Sequence, residues 1–332
     1  MQPEFTGTLI LNRQTLQSLL TMSDVNRAVE EAFAAYGDGQ WEVPAKIIFP
    51  QEQYDGDFGA MPAYCRKPEY IAIKWGGVHN RNPAIGLPTT LTQIILSDPK
   101  TAWPLAIAEG AWITEMRTGA AAGIAAKYMA RRDASVLAIV GAGAVGRRAA
   151  ESISQVRALD EIRVASRTLA SAEKYAEEMS DKLGIPVTAA ASIEAAVRGA
   201  DIVSIATPAR APQILADWIE PGTHINAMGA DSPGKQELDP RILQQSHIIV
   251  DHKAQAGMYG EINLPLQQKL LSETAVAGDI GEVVAGKVPG RMSDSDITVF
   301  DGTGMALEDA AVVHLAYHAA RKRGAGRIVE LQ

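Results

Sequence analysis

Apolar residues recur at Val25, Ala28, Val29, Ala32 and Phe33, the three-and-four spacing that lines one face of a helix. Ser23, a side-chain acceptor followed by Asp24, is the expected N-cap. A short strand is expected over residues 8–11. Beyond the helix, β-like runs at 46–49, 58–62, 70–75 and 90–96 are separated by Pro, Gly and Asn. That punctuation predicts a mostly antiparallel sheet, with Pro83, Gly86 and Pro88 in one long turn.

Near residue 119 the pattern changes. Residues 119–129 form a small-residue helix, and 136–140 (VLAIV) is a continuous apolar run. Similar runs follow at 162–165, 187–189, 202–206, 224–227 and 248–250, with helical patterns such as 170–183 and 193–198 between them. Strands buried on both faces and alternating with helices predict a doubly wound parallel sheet. A strand at 297–300 and a helix at about 306–323 close the chain, and that helix is expected to return to the N-terminal region. The expected fold class is α/β. A Rossmann dinucleotide-binding domain, 119–303, interrupts a smaller α+β substrate-binding and dimerisation domain made of 1–118 and 304–332.

Composition narrows the function classes. Of 332 residues 47% are hydrophobic and 21% charged, which is globular rather than disordered. The single cysteine, Cys65, excludes a disulfide framework and a cysteine zinc cluster. A formal charge of -8 argues against a nucleic-acid partner, since phosphate binding needs a basic face. No apolar run approaches a membrane span, and the N-terminus lacks the pattern of a secretory leader. A cytoplasmic protein with neither nucleic-acid nor membrane partner is expected.

The strand at 136–140 opens into Gly141-Ala142-Gly143-Ala144-Val145-Gly146, which fits G-x-G-x-x-G, and 144–156 reads as the helix it starts. Glycine serves three needs there: a tight turn, close approach of backbone to pyrophosphate, and close helix–strand packing. The pyrophosphate sits at the helix N-terminus, where unpaired N–H groups and the dipole favour an anion. The second strand ends in Ser166-Arg167-Thr168, whereas NAD sites place a carboxylate there for the ribose hydroxyls. Asp160 and Glu161 precede that strand. A guanidinium matches a 2′-phosphate with paired hydrogen bonds, so NADP(H) is favoured, with NAD(H) possible. The plainer alternative makes Arg167 a solvated loop residue or a stacking partner of adenine.

Four polar residues stand in apolar or glycine-rich surroundings. Lys74 interrupts a strand and either faces a cleft, where it can orient a carboxylate or exchange protons, or is an exposed strand charge. Arg117, at the expected start of a helix, either clamps a carboxylate or caps the helix at the surface. Asp231 follows a strand of the parallel sheet, where ligands bind, and is either a general acid/base or a turn cap. Lys46, after Pro44, reads locally as a surface lysine. The six histidines are expected to be structural, without a metal-ligand spacing, so no metal site is expected. G-x-S-x-G is absent, and Cys65 has no evident activating partner.

Several segments together resemble the ornithine cyclodeaminase/μ-crystallin family: Ala60-Met-Pro62, Ile73-Lys74-Trp75 with the turn at 76–83, Glu115-Met-Arg117-Thr-Gly-Ala-Ala, GAGAVG, the run 222–239 (GTHINAMGADSPGKQELD), Gly260-Glu-Ile-Asn263 and Phe300-Asp-Gly-Thr303-Gly304. They follow the family's order through nearly the whole chain. The resemblance implies a homodimer whose N-terminal sheet and C-terminal helix bind substrate. It implies that Lys74 and Asp231 act at the reacting centre and that Lys46 and Arg117 hold a substrate carboxylate. The nucleotide is expected to touch Thr118, Gly141, Gly143, Ala144, Val145, Gly146, Ser166, Arg167, Thr168, Thr207, Met228, Gly229 and Thr303.

Two departures matter. Gly59 stands where ornithine cyclodeaminases carry a Glu for the distal ammonium, and Ser166-Arg167-Thr168 replaces their acidic residue after the second strand. The expected activity is therefore an NAD(P)H-dependent oxidoreductase that reduces the α-carbon of an imino acid. It is either a ketimine reductase or an amino acid dehydrogenase such as one for alanine, with a small imino, keto or amino acid as substrate. The alternatives are a redox-neutral, ammonia-releasing ornithine or lysine cyclodeaminase, and a non-catalytic NADP(H)-dependent ligand-binding protein like μ-crystallin.

Overall fold

Five helices of ten residues or more occur among the described residues, 7–331, of the computed structural model. They are α1 (Met22–Gly37), α2 (Gly110–Met129), α3 (Ala144–Ile153), α4 (Leu169–Leu183) and α5 (Ala306–Arg323). The chain divides into two compact units. One comprises Met1–Arg117 with Met305–Gln332, the other Thr118–Gly304.

In the first unit, α1 begins two residues earlier than Ser23 allows. Thr21 is the N-cap: its hydroxyl accepts from Asp24 N and its own N–H donates to the Asp24 carboxylate. Ser23 has Asn26 at the matching spacing, which offers no carboxylate to close such a box. The sheet of this unit uses β1 (Thr8–Leu11), β2 (Trp41–Glu42), β3 (Ile47–Gln51), β4 (Gly56–Arg66), β5 (Glu69–His79), β6 (Thr90–Ser97) and β7 (Pro104–Glu109). Its order is the C-terminal strand Arg327–Val329, then β1-β7-β6-β5-β4-β2, with β3 also on β4. Every pairing is antiparallel except β1 with β7.

Alternation gives this sheet two faces. One buries Met61, Ala63, Cys65, Tyr70, Ala72, Ile94, Leu96, Ala106 and Ala108, and α5 packs against its strands. The other leaves Ile47, Phe49, Ile71, Trp75 and Leu91 exposed.

The second unit holds an eight-stranded, all-parallel sheet, the Rossmann-like arrangement expected. Its strands are β8 (Val136–Val140), β9 (Glu161–Ala165), β10 (Val187–Ala189), β11 (Ile202–Ile205), β13 (His224–Ala227), β15 (Ser246–Val250), β16 (Val276–Asp279) and β17 (Ile297–Asp301). They run β10-β9-β8-β11-β13-β17-β15-β16, while β12 (Arg210–Ile214) and β14 (Gln236–Leu238) pair separately. β11, β13 and β17 are buried along their whole length, as strands covered on both faces must be. The strand order reverses beside β8, so the loops leaving β8 and β11 flank the crevice where doubly wound sheets bind ligands. Among the described residues no helix is long and apolar enough to cross a membrane.

Candidate functional site

The loop after β8 is shaped by contacts that only glycine permits. Gly141 has φ +109°, and a Cβ there would lie 2.6 Å from the Ala206 carbonyl oxygen. A Cβ on Gly146 would lie 2.3 Å from the Gly141 carbonyl oxygen, which is the close helix–strand packing anticipated. Gly143 is the N-cap of α3, contributes no side-chain cap, and has nothing within 4 Å of its Cβ position. The first-turn N–H groups of α3, at Ala144 and Val145, receive no side-chain cap from Gly143, the arrangement a pyrophosphate fits. Tyr175 of α4 donates to the Gly146 carbonyl at 2.9 Å. Arg147 donates to the Ala142 carbonyl and pairs with Glu178 at 2.7 Å, bracing the loop from outside.

After β9, Arg167 is exposed and makes no hydrogen bond or ion pair among the described residues. Ser166 beside it is half-buried, and Thr168 caps α4 through Ser171 N. The ends of β11 and β13 are tied by a residue that sequence reasoning missed. Glu237, on β14, accepts from Thr207 N and Oγ1 at 2.6 and 2.7 Å and from Gly229 N at 2.8 Å. Burial lifts its carboxyl to about 7, against the pull of the Thr207 hydrogen bonds. Met228 is buried beside Gly229. Thr303 Oγ1 donates to Asp251 at 2.9 Å, and Gln255 Nε2 donates to Thr303 at 2.6 Å. Thr118 is buried within α2. Asp231, four residues beyond β13, is half-exposed and accepts from Lys235 Nζ at 2.5 Å.

The first unit carries a buried ionic cluster. Lys74 Nζ pairs with Asp309 Oδ2 at 2.7 Å and donates to Thr114 Oγ1 at 3.3 Å. Arg117 Nε donates to Asp309 Oδ1 at 3.3 Å, and its Nη1 to Glu308 Oε2 at 3.1 Å. None of these four charged side chains is more than 8% exposed. The exposed-strand reading of Lys74 therefore fails: its alternating position faces α5. Burial, reinforced by the Arg117 charge, lowers the Lys74 amine to about 8, while Asp309 opposes that fall.

Arg117 does not start a helix. α2 begins at Gly110 because the Glu109 carboxylate caps Ala111 N and Trp112 N at 2.9 and 3.0 Å, which leaves Arg117 two turns inside. Lys46 immediately precedes β3. Extending the Ile47–Ala60 register by one residue sets it beside Met61, the partner of Lys74 on β4.

Sequence reasoning passed over Glu308 and Asp309, though a signal was present. Two adjacent acids in an otherwise apolar helix (Ala306-Leu-Glu-Asp-Ala-Ala-Val-Val) cannot both reach water, and buried carboxylates require cations. The reading of the histidines is also corrected. His314 and His318 have the His-x-x-x-His spacing, lie one turn apart on α5, and bring their Nε2 atoms to 3.0 Å. His314 stacks on Tyr70 with centroids 4.0 Å apart. Among the described residues no group of three or more His, Cys, Asp or Glu is disposed to hold a metal ion.

The model of the ornithine cyclodeaminase/mu-crystallin family matches residues 6–324. An alanine dehydrogenase of Archaeoglobus fulgidus is 40% identical over 319 residues, 96% of this chain and 97% of that protein. A solved archaeal alanine dehydrogenase, a dimer with bound NAD, superposes with a TM-score of 0.94 at 39% identity, covering 98% of this chain and all of that one. The Δ1-pyrroline-2-carboxylate reductase of Thermococcus litoralis, solved with NADH and L-proline, also gives 0.94 at 37% identity, over 97% of this chain and all of its own.

Proposed function

The chain belongs to the ornithine cyclodeaminase/mu-crystallin family, and from that premise we propose that it is an NAD(P)H-dependent oxidoreductase acting at the α-carbon of a small imino acid. The observation that carries this reading is the buried Lys74 held between Asp309 and Thr114 beside Arg117. A lysine sequestered from water and poised near neutrality suits an oxygen or proton on a carboxylate-bearing substrate far better than it suits a structural role. The nicotinamide supplies the hydride that reaches the imine carbon. Lys46 and Arg117 fix the substrate carboxylate, Lys74 polarises its oxygen, and Asp231 manages the proton on nitrogen. Proximity supplies much of the rate.

The second unit is the nucleotide domain in this reading. The Gly141–Gly146 loop and α3 hold the pyrophosphate. Thr118, Thr207, Met228, Gly229 and Thr303 line the remainder of the nucleotide. Arg167, exposed and uncommitted, with Ser166 and Thr168, favours NADP(H). The relatives solved with NAD and NADH keep NAD(H) in play. Arg167→Ala is expected to raise KM for NADPH about tenfold or more and leave KM for NADH within about twofold. Equal changes for both nucleotides would remove the selective role.

The free, buried Cys65 suits a reducing compartment, and the cytoplasm is the proposed place of action. The direct test is a screen at the nicotinamide absorbance band with each nucleotide. The substrates are pyruvate plus ammonia or methylamine, cyclic imino acids, alanine, ornithine and lysine. Net NAD(P)H oxidation with keto or imino acids is the expected result. Ammonia release from a diamino acid with no net nicotinamide change would identify a cyclodeaminase instead, a reading that Gly59 disfavours. Asp231→Asn should lower kcat at least about a hundredfold with little change in nucleotide affinity, and unchanged turnover would refute its role.

A further inference from the structure

The second half of α5 holds two histidines that the proposed reaction does not use. His314 and His318 are four residues apart, so they share one face of the helix. Their Nε2 atoms lie 3.0 Å apart at the protein surface, with the ring planes inclined by 77°. Two rings aimed straight at each other across that distance would have their centres about 5.3 Å apart. The centres are 4.5 Å apart. Each ring axis is therefore inclined to the line joining the nitrogens.

Two metal–imidazole bonds of about 2.1 Å that meet at about a right angle put their nitrogens about 3.0 Å and their ring centres about 4.6 Å apart. Both separations in this pair match that geometry. A tetrahedral angle would hold the nitrogens about 3.4 Å apart, so the spacing suits square-planar or octahedral coordination better.

The pair is also fixed and accessible. His314 is half-buried and stacks on Tyr70 of β5, centroids 4.0 Å and planes 4° apart, and Tyr70 is only 5% exposed. A ligand already held in place loses little freedom on binding. His318 is exposed, so water and solutes reach it. The other four histidines are engaged singly. His224 is enclosed by Thr298 and Asn226, and His247 donates to the Pro289 carbonyl. His252 accepts from Gln255 N, and His79 packs on Phe58.

We propose that His314 and His318 form a chelating site for a transition-metal dication of the copper(II) and nickel(II) class, one ion per chain. Both ions take imidazole nitrogen in square-planar or octahedral arrangements. On binding, the proton carried by one Nε2 moves through water to the Nδ1 of its own ring. Two waters leave the ion as two nitrogen–metal bonds form, and no proton is lost overall. Among the described residues no third His, Cys, Asp or Glu completes the set, so the other positions on the ion stay with water. The ion joins successive turns of α5, the helix that carries Glu308 and Asp309, and binding to the folded form alone stabilises it. This site is independent of the reductase reading.

The test is equilibrium dialysis of the full chain against nickel(II) and copper(II) chloride, with cobalt(II), magnesium and calcium for comparison. Saturation at one ion per chain in the micromolar range is expected. Affinity should rise from cobalt(II) through nickel(II) to copper(II), and magnesium and calcium should not bind. His318→Gln should weaken nickel binding about tenfold or more, as should His314→Gln, while His247→Gln leaves it unchanged. His318 is a surface position, so His318→Gln should melt with wild type when no ion is added. Nickel should raise the Tm of wild type with increasing concentration and leave that of His318→Gln unmoved. Copper(II) electron paramagnetic resonance at one equivalent should resolve coupling to two imidazole nitrogens in wild type and to one in His318→Gln. Binding that appears only at millimolar ion, binding unchanged in His318→Gln, or a wild-type copper signal from a single nitrogen overturns the site.

Discussion

At the scale of single residues, the decisive feature is that two cations and two carboxylates share one water-poor volume. Lys74 was legible in the sequence because it is the lone charge among apolar neighbours, and Arg117 because it stands in the Glu115-Met-Arg117-Thr-Gly segment. Glu308 and Asp309 were not, since their partners lie about 190 and more residues away and only the folded chain joins them. The cluster makes a pH prediction. If Lys74 acts as a cation, kcat/KM falls as pH rises through about 8. Asp309 is the anion that supports its charged form, so Asp309→Asn should move that limb to lower pH by about one unit or more. Glu308→Gln should move it in the same direction by less, because Glu308 is the weaker of the two supports. A limb that stays fixed in the pH–rate profile of Asp309→Asn would mean that another group controls it.

At the scale of elements, strands showed where burial is two-sided. Of the runs that became β8, β11, β13 and β17, β8 is apolar end to end and the others carry one or two polar residues among apolar ones, a pattern that was enough to read the sheet. β7, β12 and β14 escaped notice because they begin with or contain proline, or are only three residues long, and are strands by virtue of their partners. The early start of α2 escaped because its cap is a glutamate, a residue with no strong capping preference.

β13 also carries a buried histidine. His224 is locked between Thr298 Oγ1 at 2.9 Å and Asn226 Oδ1 at 3.1 Å. Burial, with the Arg291 charge, lowers its imidazole to about 3. Between the unfolded value of about 6.5 and about 3, the unfolded chain binds a proton that the folded chain does not. The contribution of His224 is therefore complete above about pH 6.5 and is lost progressively as pH falls. Urea midpoints measured from pH 7 to 4 should decline for wild type and decline less steeply for His224→Gln. Parallel slopes would refute this.

Elements are also held by side chains, and Glu237 is the clearest case. It joins the ends of β11 and β13 by accepting from Thr207 and Gly229. An amide at this position cannot accept through both of its ends. Glu237→Gln is therefore expected to raise KM for the nucleotide about tenfold or more, with a smaller change in KM for the amino acid. A uniform loss that tracks lowered Tm would reduce Glu237 to a structural tie.

For the molecule as a whole, the sheet face away from α5 poses the remaining question. Phe49, Phe58, Trp75 and His79 form a chain of ring contacts 5.4–6.3 Å apart, and Ile47, Phe49, Ile71, Trp75 and Leu91 are each 38–53% exposed. A contiguous apolar surface of this kind on a chain of charge -8 is a contact surface rather than a solvated one. The similar archaeal alanine dehydrogenase is a dimer, and a homodimer is the proposed state here. Light scattering should then give twice the chain mass of 35.4 kDa at micromolar concentration. Trp75→Glu places a carboxylate in the middle of that surface, where it would lose water on association without gaining a cation. It should shift the mass toward the monomer and lower Tm in a concentration-dependent way, whereas Leu169→Glu, exposed in the other unit, should do neither. A wild-type monomer, or a dimer indifferent to Trp75→Glu, would assign that surface to some other partner.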